Sequence, residues 1–364
     1  MKPEHVGRAR MRRMGLIGPL LDKPVDVVRQ HLAIQAQDFG PAKWSIAQRL
    51  TGLVDGDVER VVSDGSILRT HVLRPTWHFV ARTDLRWLTA LSGPRVQRGL
   101  ESRYRQLGLD AKSRARGERL IARRLEGAVH LTRAELAAIL RRSRLDVDGQ
   151  RLPHLLMHCE LAAVICSGRV RGKTQTYALF DERVPRGRSF DRDLALVELV
   201  RRYLNGHGPA TVKDMSWWSG LTASDLREGL EGIGAEASSA VVNGHTLWWI
   251  EKEPRGGRRK PAIQLLQAYD EFVVGYTESR YLGDPRASSV KAAFTDRSIP
   301  NGTVMLGPRV VGHWRRSSKQ KLVELEVLLY ERLRGADAEE ALATAAGDLG
   351  TFMGTEVHVR TTLM

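Results

Sequence analysis

Gln35 and Gln37, set in the stretch Leu32-Ala-Ile-Gln-Ala-Gln-Asp38, are the residues whose type and spacing point most directly to chemistry. On a helix their side chains would diverge by about 200°, whereas an extended segment turns both to one face. The breakers Gly40 and Pro41 follow at once, so the preceding helix is expected to end before the pair. Two amides on one face, with Asp38 beside them, could hold a water molecule or the polar edge of a substrate. A solvent-exposed or capping pair is the plain alternative, and Asp38 is a rival general base. Arg74, Thr76 and His78 come next, because strand alternation would put all three on one face. That face either is a structural hairpin or borders the glutamine pair and contacts a bound substrate. Asp270 and Glu271 could act as a general base or as an ionic tether. His154 and His158 stack at i, i+4 near Cys159 and Cys166, but neither Cys-x-x-Cys nor His-Glu-x-x-His occurs, so no metal is expected. Gly229, Gly232 and Gly234 follow no strand and define no nucleotide site.

The charge balance names the class of partner. The 364 residues carry a net charge of +15, and the pI is about 10.2, which calls for a polyanion. No run approaches the roughly 18 apolar residues of a membrane span, no signal-peptide pattern follows the basic N-terminus, and two cysteines suit a reducing cytosol. No membrane is therefore expected, and cytoplasmic, nucleoid-associated localisation is. Between Arg95 and Arg151 stand fifteen Lys/Arg against seven Asp/Glu. This block is read as a lining for the phosphate backbone, with Arg114, Arg116, Arg119 and Arg123, joined by Arg309 further on, as candidate DNA-binding residues.

The elements that must position these residues repeat one grammar. Thr132 with Glu135, Thr211 with Asp214 and Thr222 with Asp225 each make a capping-box pattern ahead of apolar positions. The second and third flank a Gly220 turn, as in a helix-turn-helix. Strand pairs follow, at Arg171–Phe180 and at Ala240–Glu251 with an Asn243-Gly244 turn. The N-terminal part fits more loosely: a helix from Asp22 and Pro24, helices near Trp44–Leu50 and Asp57–Val62, then a hairpin over Ile67–Val80 broken at Arg74-Pro75-Thr76. Trp217, Trp218, Trp248 and Trp249 are expected to pack the third unit. The expected fold class is α+β: tandem winged-helix repeats with a C-terminal β-rich, barrel-like domain. The expected organisation is a winged-helix unit at 1–85, a basic connecting helix at 86–117, units at 118–188 and 189–252, and the β-rich domain at 261–364, after a basic linker at Glu251–Lys260. Lys321–Tyr330 reads equally as strand or helix.

A transcription regulator would need a polar, preferably basic, recognition helix. The segment Leu155–Ser167 reads as an apolar helix, and Asp225–Ile233 carries Asp225, Glu228 and Glu231 against Arg227. The repeats therefore look like scaffold.

The Gln-Ala-Gln-Asp segment resembles the glutamine-x-glutamine motif of the AlkZ-like DNA glycosylases, winged-helix proteins of producers of DNA-alkylating antibiotics. Arg69-Thr-His-Val-Leu-Arg-Pro-Thr-Trp-His-Phe-Val80, Ala268-Tyr-Asp-Glu-Phe-Val-Val-Gly-Tyr276 and Val310-Val-Gly-His-Trp-Arg-Arg316 extend the resemblance over almost the whole chain. The middle stretches are family-wide, whereas the second glutamine separates this type from relatives with aspartate there. The resemblance implies tandem winged helices cupping DNA and excision of purines alkylated on the imidazole ring, from monoadducts or interstrand crosslinks. It makes Gln35 and Gln37 the catalytic pair, beside which the residues themselves offer Asp38, Arg74, Thr76 and His78 as auxiliaries. The implied enzyme is a monofunctional hydrolase acting as a monomer on double-stranded DNA carrying alkylated purines, without a cofactor, in repair or antibiotic self-resistance. The alternative is a non-catalytic winged-helix DNA-binding protein, a regulator or a sequesterer of drug adducts. So weak a pair suffices chemically. Most glycosidases need a carboxylic acid to protonate the leaving group, but a purine alkylated on its imidazole ring is already cationic and departs neutral. What remains is to place a water and to stabilise oxocarbenium-like charge with amide dipoles. Bulky adducts also argue against a snug base-flipping pocket.

Overall fold

The computed structural model describes residues 2–187, 190–251, 263–280, 282, 302–319, 322–333 and 336–363. The expected basic linker lies, apart from Glu251, outside the described residues. In chain order, α1 (Pro3–Arg13) and α2 (Pro24–His31) lead into β1 (Ala33–Gln35), α3 (Phe39–Ala47), α4 (Asp55–Ser63), β2 (Ile67–Val72) and β3 (Arg74–Ala81). Then come α5 (Arg82–Gln106), α6 (Ala111–Leu125), β4 (Leu131–Thr132), α7 (Arg133–Arg142), α8 (Arg151–Leu161), β5 (Ile165–Ser167), β6 (Thr176–Leu179) and α9 (Phe180–Arg183). The third stretch holds α10 (Arg192–His207), α11 (Val212–Ser219), α12 (Ala223–Ile233), β7 (Ala237–Val242) and β8 (His245–Ile250). The C-terminal part has β9 (Ile263–Gln267), α13 (Glu271–Val274), β10 (Gly302–Leu306), β11 (Arg309–Lys319), β12 (Leu322–Leu329), α14 (Ala336–Met353) and β13 (Val357–Leu363).

The three threonine caps start helices where their spacing places them. Thr132 Oγ1 accepts from Glu135 N at 3.2 Å while Glu135 Oε2 accepts from Thr132 N at 2.6 Å. The pairs Thr211/Asp214 and Thr222/Asp225 close the same reciprocal box. Each box satisfies two amides that a helix start would leave open. The Asn243-Gly244 turn, with φ of +50° and +80°, joins β7 to β8.

Several expectations are corrected. The basic connecting region is two helices rather than one, because Gly108 takes a left-handed φ of +65° and Asp110 caps α6, accepting from Ser113 N at 2.7 Å. The segment read as a helix to Ser167 stops at Leu161; Ala163 adopts a φ of +55° and the chain turns into β5. Lys321–Tyr330 is a strand over Leu322–Leu329. Trp217 is 47% exposed rather than core, while Trp218 is fully buried. The described C-terminal strands form no closed barrel. They make an open five-stranded sheet, β13-β12-β11-β10-β9, with β12 and β13 parallel across α14. Leu342, Ala345, Ala346, Leu349 and Phe352 of α14 cover its apolar side, so burial does not require closure.

The sheet that positions the site is three-stranded, β1-β3-β2, with β1 at one edge. Its two faces enter different cores. Ala33, Leu68 and Val80 join one with residues of α10, α11 and α12. Ile34, Ile67, Phe79 and Ala81 join another with β9, β12 and α14. Burying each of the larger side chains, Ile34, Ile67, Leu68, Phe79 and Val80, stabilises the sheet by about 1.5–3 kcal/mol, so its register is strongly set. Residues between 121 and 165 form a separate core.

Candidate functional site

Leu32 ends α2 with a φ of +66°, turning the chain into β1. The extended backbone expected around Gln35 is present, and Ala36 N continues the pairing to Trp77 O at 2.7 Å. Gln35 lies opposite His78, and His78 lies opposite Thr70. Directly opposed residues share a face, so Gln35, His78 and Thr70 make one rung, and Thr76 follows two residues along β3.

All four residues hold a buried polar atom with no hydrogen-bond partner among the described residues: Gln35 Oε1, His78 Nε2, Thr70 Oγ1 and Thr76 Oγ1. Arg74 adds Nε and Nη2. Buried polar groups are rarely left this way, and such a cluster along one sheet face marks a place built to receive polar atoms. His78 is fully buried, and its Nδ1 lies 3.0 Å from Thr76 O. Burial, then the charges of Arg74 and His71, push its pKa well below the ordinary histidine range. The ring is therefore neutral, with Nδ1–H donating to the carbonyl and Nε2 left as a bare acceptor. Burial also lowers the pKa of Arg74, whose guanidinium sits 5.7 Å from the ring centre of Trp217.

Gln37 and Asp38 are exposed, whereas Gln35 is only 8% exposed. Gln37 Oε1 accepts from Trp77 N at 3.4 Å. Asp38 precedes α3 without accepting a capping bond. Arg69, which was not singled out from sequence, clamps this stretch: Nε donates to Ala36 O at 2.9 Å and Nη2 to Gln37 O at 3.1 Å. Its guanidinium also lies 4.4 Å over the ring of Trp77. The available signal was a lone arginine in a strand otherwise set for the interior.

Asp270 and Glu271 separate into different tasks. Asp270 is fully buried and held by Arg49 through two 2.9 Å bonds. Burial pushes its carboxyl up, but Arg49 and the surrounding donors outweigh this and hold it below the usual range. It is an ionic tether between the N-terminal segment and α13. Glu271 Oε1 instead accepts from the main-chain N of Gln35 at 2.7 Å.

The basic residues lie elsewhere. Arg119 and Arg123 are exposed on α6. Arg116 is exposed too and donates to Ser143 O. Arg114 is committed internally, 2.7 Å from Glu101 Oε1 and stacked 4.5 Å over Tyr104. Arg309 pairs with Glu331 at 3.1 Å. Among the described residues no three His, Cys, Asp or Glu gather as a metal site. His158 is paired with Glu118 at 2.7 Å, His154 lies 2.8 Å from Gln150 O, and burial pushes the Cys166 thiol up to about 12.

With this geometry in place, comparison with known proteins is direct. The family profile described as "DNA glycosylase AlkZ-like" matches residues 28–352. An interstrand DNA cross-link repair glycosylase of Streptomyces sahachiroi is 25% identical over 328 residues, covering 86% of this chain and 88% of the relative. The solved structure of Streptomyces sahachiroi DNA glycosylase AlkZ superposes with a TM-score of 0.82 at 23% identity, covering all of both chains, and so shares this fold.

Proposed function

The chain belongs to the AlkZ-like DNA glycosylase family, and we propose that it hydrolyses the N-glycosidic bond of purines alkylated on the imidazole ring, in adducts and interstrand crosslinks. The observation that carries this reading is the unpaired, buried amide oxygen of Gln35 on a sheet face with Thr70, Thr76 and His78. Gln37 sits two residues on, at the surface. The base leaves as a neutral purine, so the site needs no proton donor. It needs a held water and negative dipoles toward the developing sugar cation. Gln35 and Gln37 supply those amide oxygens, and His78 Nε2 offers a neutral acceptor on the same rung. Arg74 and Thr76 serve as auxiliary donors toward the lesion strand, and Asp38 is the rival base.

The mechanism is monofunctional. A lyase step needs a free amine nucleophile, and Lys43, the lysine nearest in sequence to the glutamine pair, is buried and ion-paired with Asp55 at 2.6 Å and Glu59 at 3.1 Å. The helix pairs with their hairpins are read as winged-helix units within the boundaries given above. They would cup a duplex whose phosphates meet the exposed arginines of α6, the chain acting as a monomer. Among the described residues no helix is long and apolar enough to cross a membrane.

The deciding experiment uses duplex oligonucleotides alkylated at purine N7 by a monofunctional or a bifunctional nitrogen mustard. Release of free alkylated base, leaving abasic sites, is the expected outcome. Tight binding with no base released from either duplex would favour the sequestration reading instead.

A further inference from the structure

An edge strand presents main-chain groups that its own sheet leaves unpaired. At the end of β1 one such group, the N–H of Gln35, is met by a carboxylate. Glu271 Oε1 accepts it at 2.7 Å. The other oxygen accepts from Trp218 Nε1 at 2.9 Å and lies 3.3 Å from His207 Nε2. Glu271 is 1% exposed, and Trp218 and His207 are fully buried. Three elements, β1, α10 and α11, thus converge on one carboxylate at the start of α13.

Anchoring α13 does not explain this arrangement, because Asp270 already supplies the anchor through Arg49. A buried carboxylate is costly unless its oxygens are satisfied, and charge-assisted bonds to it are short and directional. What the second carboxylate adds is a fixed position for the residue whose side-chain oxygen is left unpaired.

We propose that Glu271 is a positioning residue for base excision. It fixes the main chain of Gln35 so that the amide oxygen stands where the water and the sugar cation need it. The proposal rests on the catalytic reading of Gln35. Small displacements of a positioned group are expensive, about 100-fold in rate for roughly 1 Å.

The test is a double-mutant cycle on the full chain, read as single-turnover base release from a mustard-alkylated duplex. DNA affinity and thermal melting are followed in parallel. Glu271→Gln keeps the shape but turns an amide N–H₂ toward a donor. It is expected to slow excision about 10- to 100-fold while binding stays within about two-fold. The Gln35→Ala/Glu271→Gln protein should be no slower than Gln35→Ala alone, since Glu271 acts through Gln35. If Glu271→Gln does not fold, Glu271→Asp retains the charge, withdraws it by one methylene and should show the same non-additive loss. A merely structural glutamate would give losses that multiply, or a rate within about two-fold of the parent, and either overturns the proposal. Parent-like excision by Gln35→Ala would instead remove the catalytic reading of Gln35 on which the proposal stands.

Discussion

The β1-β3-β2 sheet and helix α6 both display polar side chains, but under opposite physical conditions. On the sheet, polar atoms are buried and several have no partner among the described residues, held in place by cores on both faces. On α6, Arg119 and Arg123 stand in solvent above a separate core. Desolvated dipoles fixed in a low-dielectric site act strongly on a nearby charge. Solvated charges attract a polyanion but specify little. On the proposed function, chemistry falls to the sheet and affinity to α6, and changes in each should separate excision from binding.

The largest effect is expected in stability, at the buried Arg49–Asp270 pair that tethers α13. Asp270→Asn leaves the Arg49 guanidinium buried against a neutral amide, and loss of one partner from a buried pair costs about 3–5 kcal/mol. Chemical denaturation would register this as a lower midpoint at unchanged slope. A smaller effect is expected from Arg69→Ala, which frees the carbonyls of Ala36 and Gln37: excision should fall about 10-fold, equivalent to about 1.4 kcal/mol, with binding preserved. Weakened binding at unchanged excision would instead move Arg69 to the affinity side.

A pH effect follows from His31 and His78. Burial lowers the pKa of both well below the ordinary value. The unfolded chain therefore binds more protons, and stability rises with pH in that window. Stability is expected to be level above about pH 7 and to fall as pH drops below the unfolded histidine value near 6.5, by up to about 1.4 kcal/mol per pH unit for each histidine. His78→Gln should flatten part of that slope in melting curves taken from pH 7.5 to 5. The smallest change belongs to α6: Arg119→Ala and Arg123→Ala should each reduce the salt dependence of duplex binding by about one phosphate contact. Saturated single-turnover rates should be unaffected.

How much of this was legible in the sequence differs by kind of signal. Local grammar was readable: the Thr132, Thr211 and Thr222 caps, the Asn243-Gly244 turn and the extended backbone at Gln35 are decided within a few residues. Alternation also placed Thr76 and His78 on one face. What spacing could not supply was the meeting of distant segments. Glu271 touches Gln35 across 236 positions of chain, and nothing local announces it. Net charge grouped Arg114 with the exposed arginines of α6 and could not show that Glu101 and Tyr104 hold it. The open form of the C-terminal sheet was hidden for a similar reason, since the helix covering the sheet is a tertiary fact.

The central claim is that Gln35 and Gln37 act on the bond and not on the duplex. Single-turnover excision from one mustard-alkylated duplex, with affinity measured on the same duplex, tests it for Gln35→Ala, Gln37→Ala, the double variant and Asp38→Asn. Each glutamine variant is expected to lose up to a few kcal/mol of transition-state stabilisation at nearly unchanged affinity, and the double variant to lose less than the sum. Inactive Asp38→Asn beside two active glutamine variants would contradict it and transfer the chemistry to Asp38.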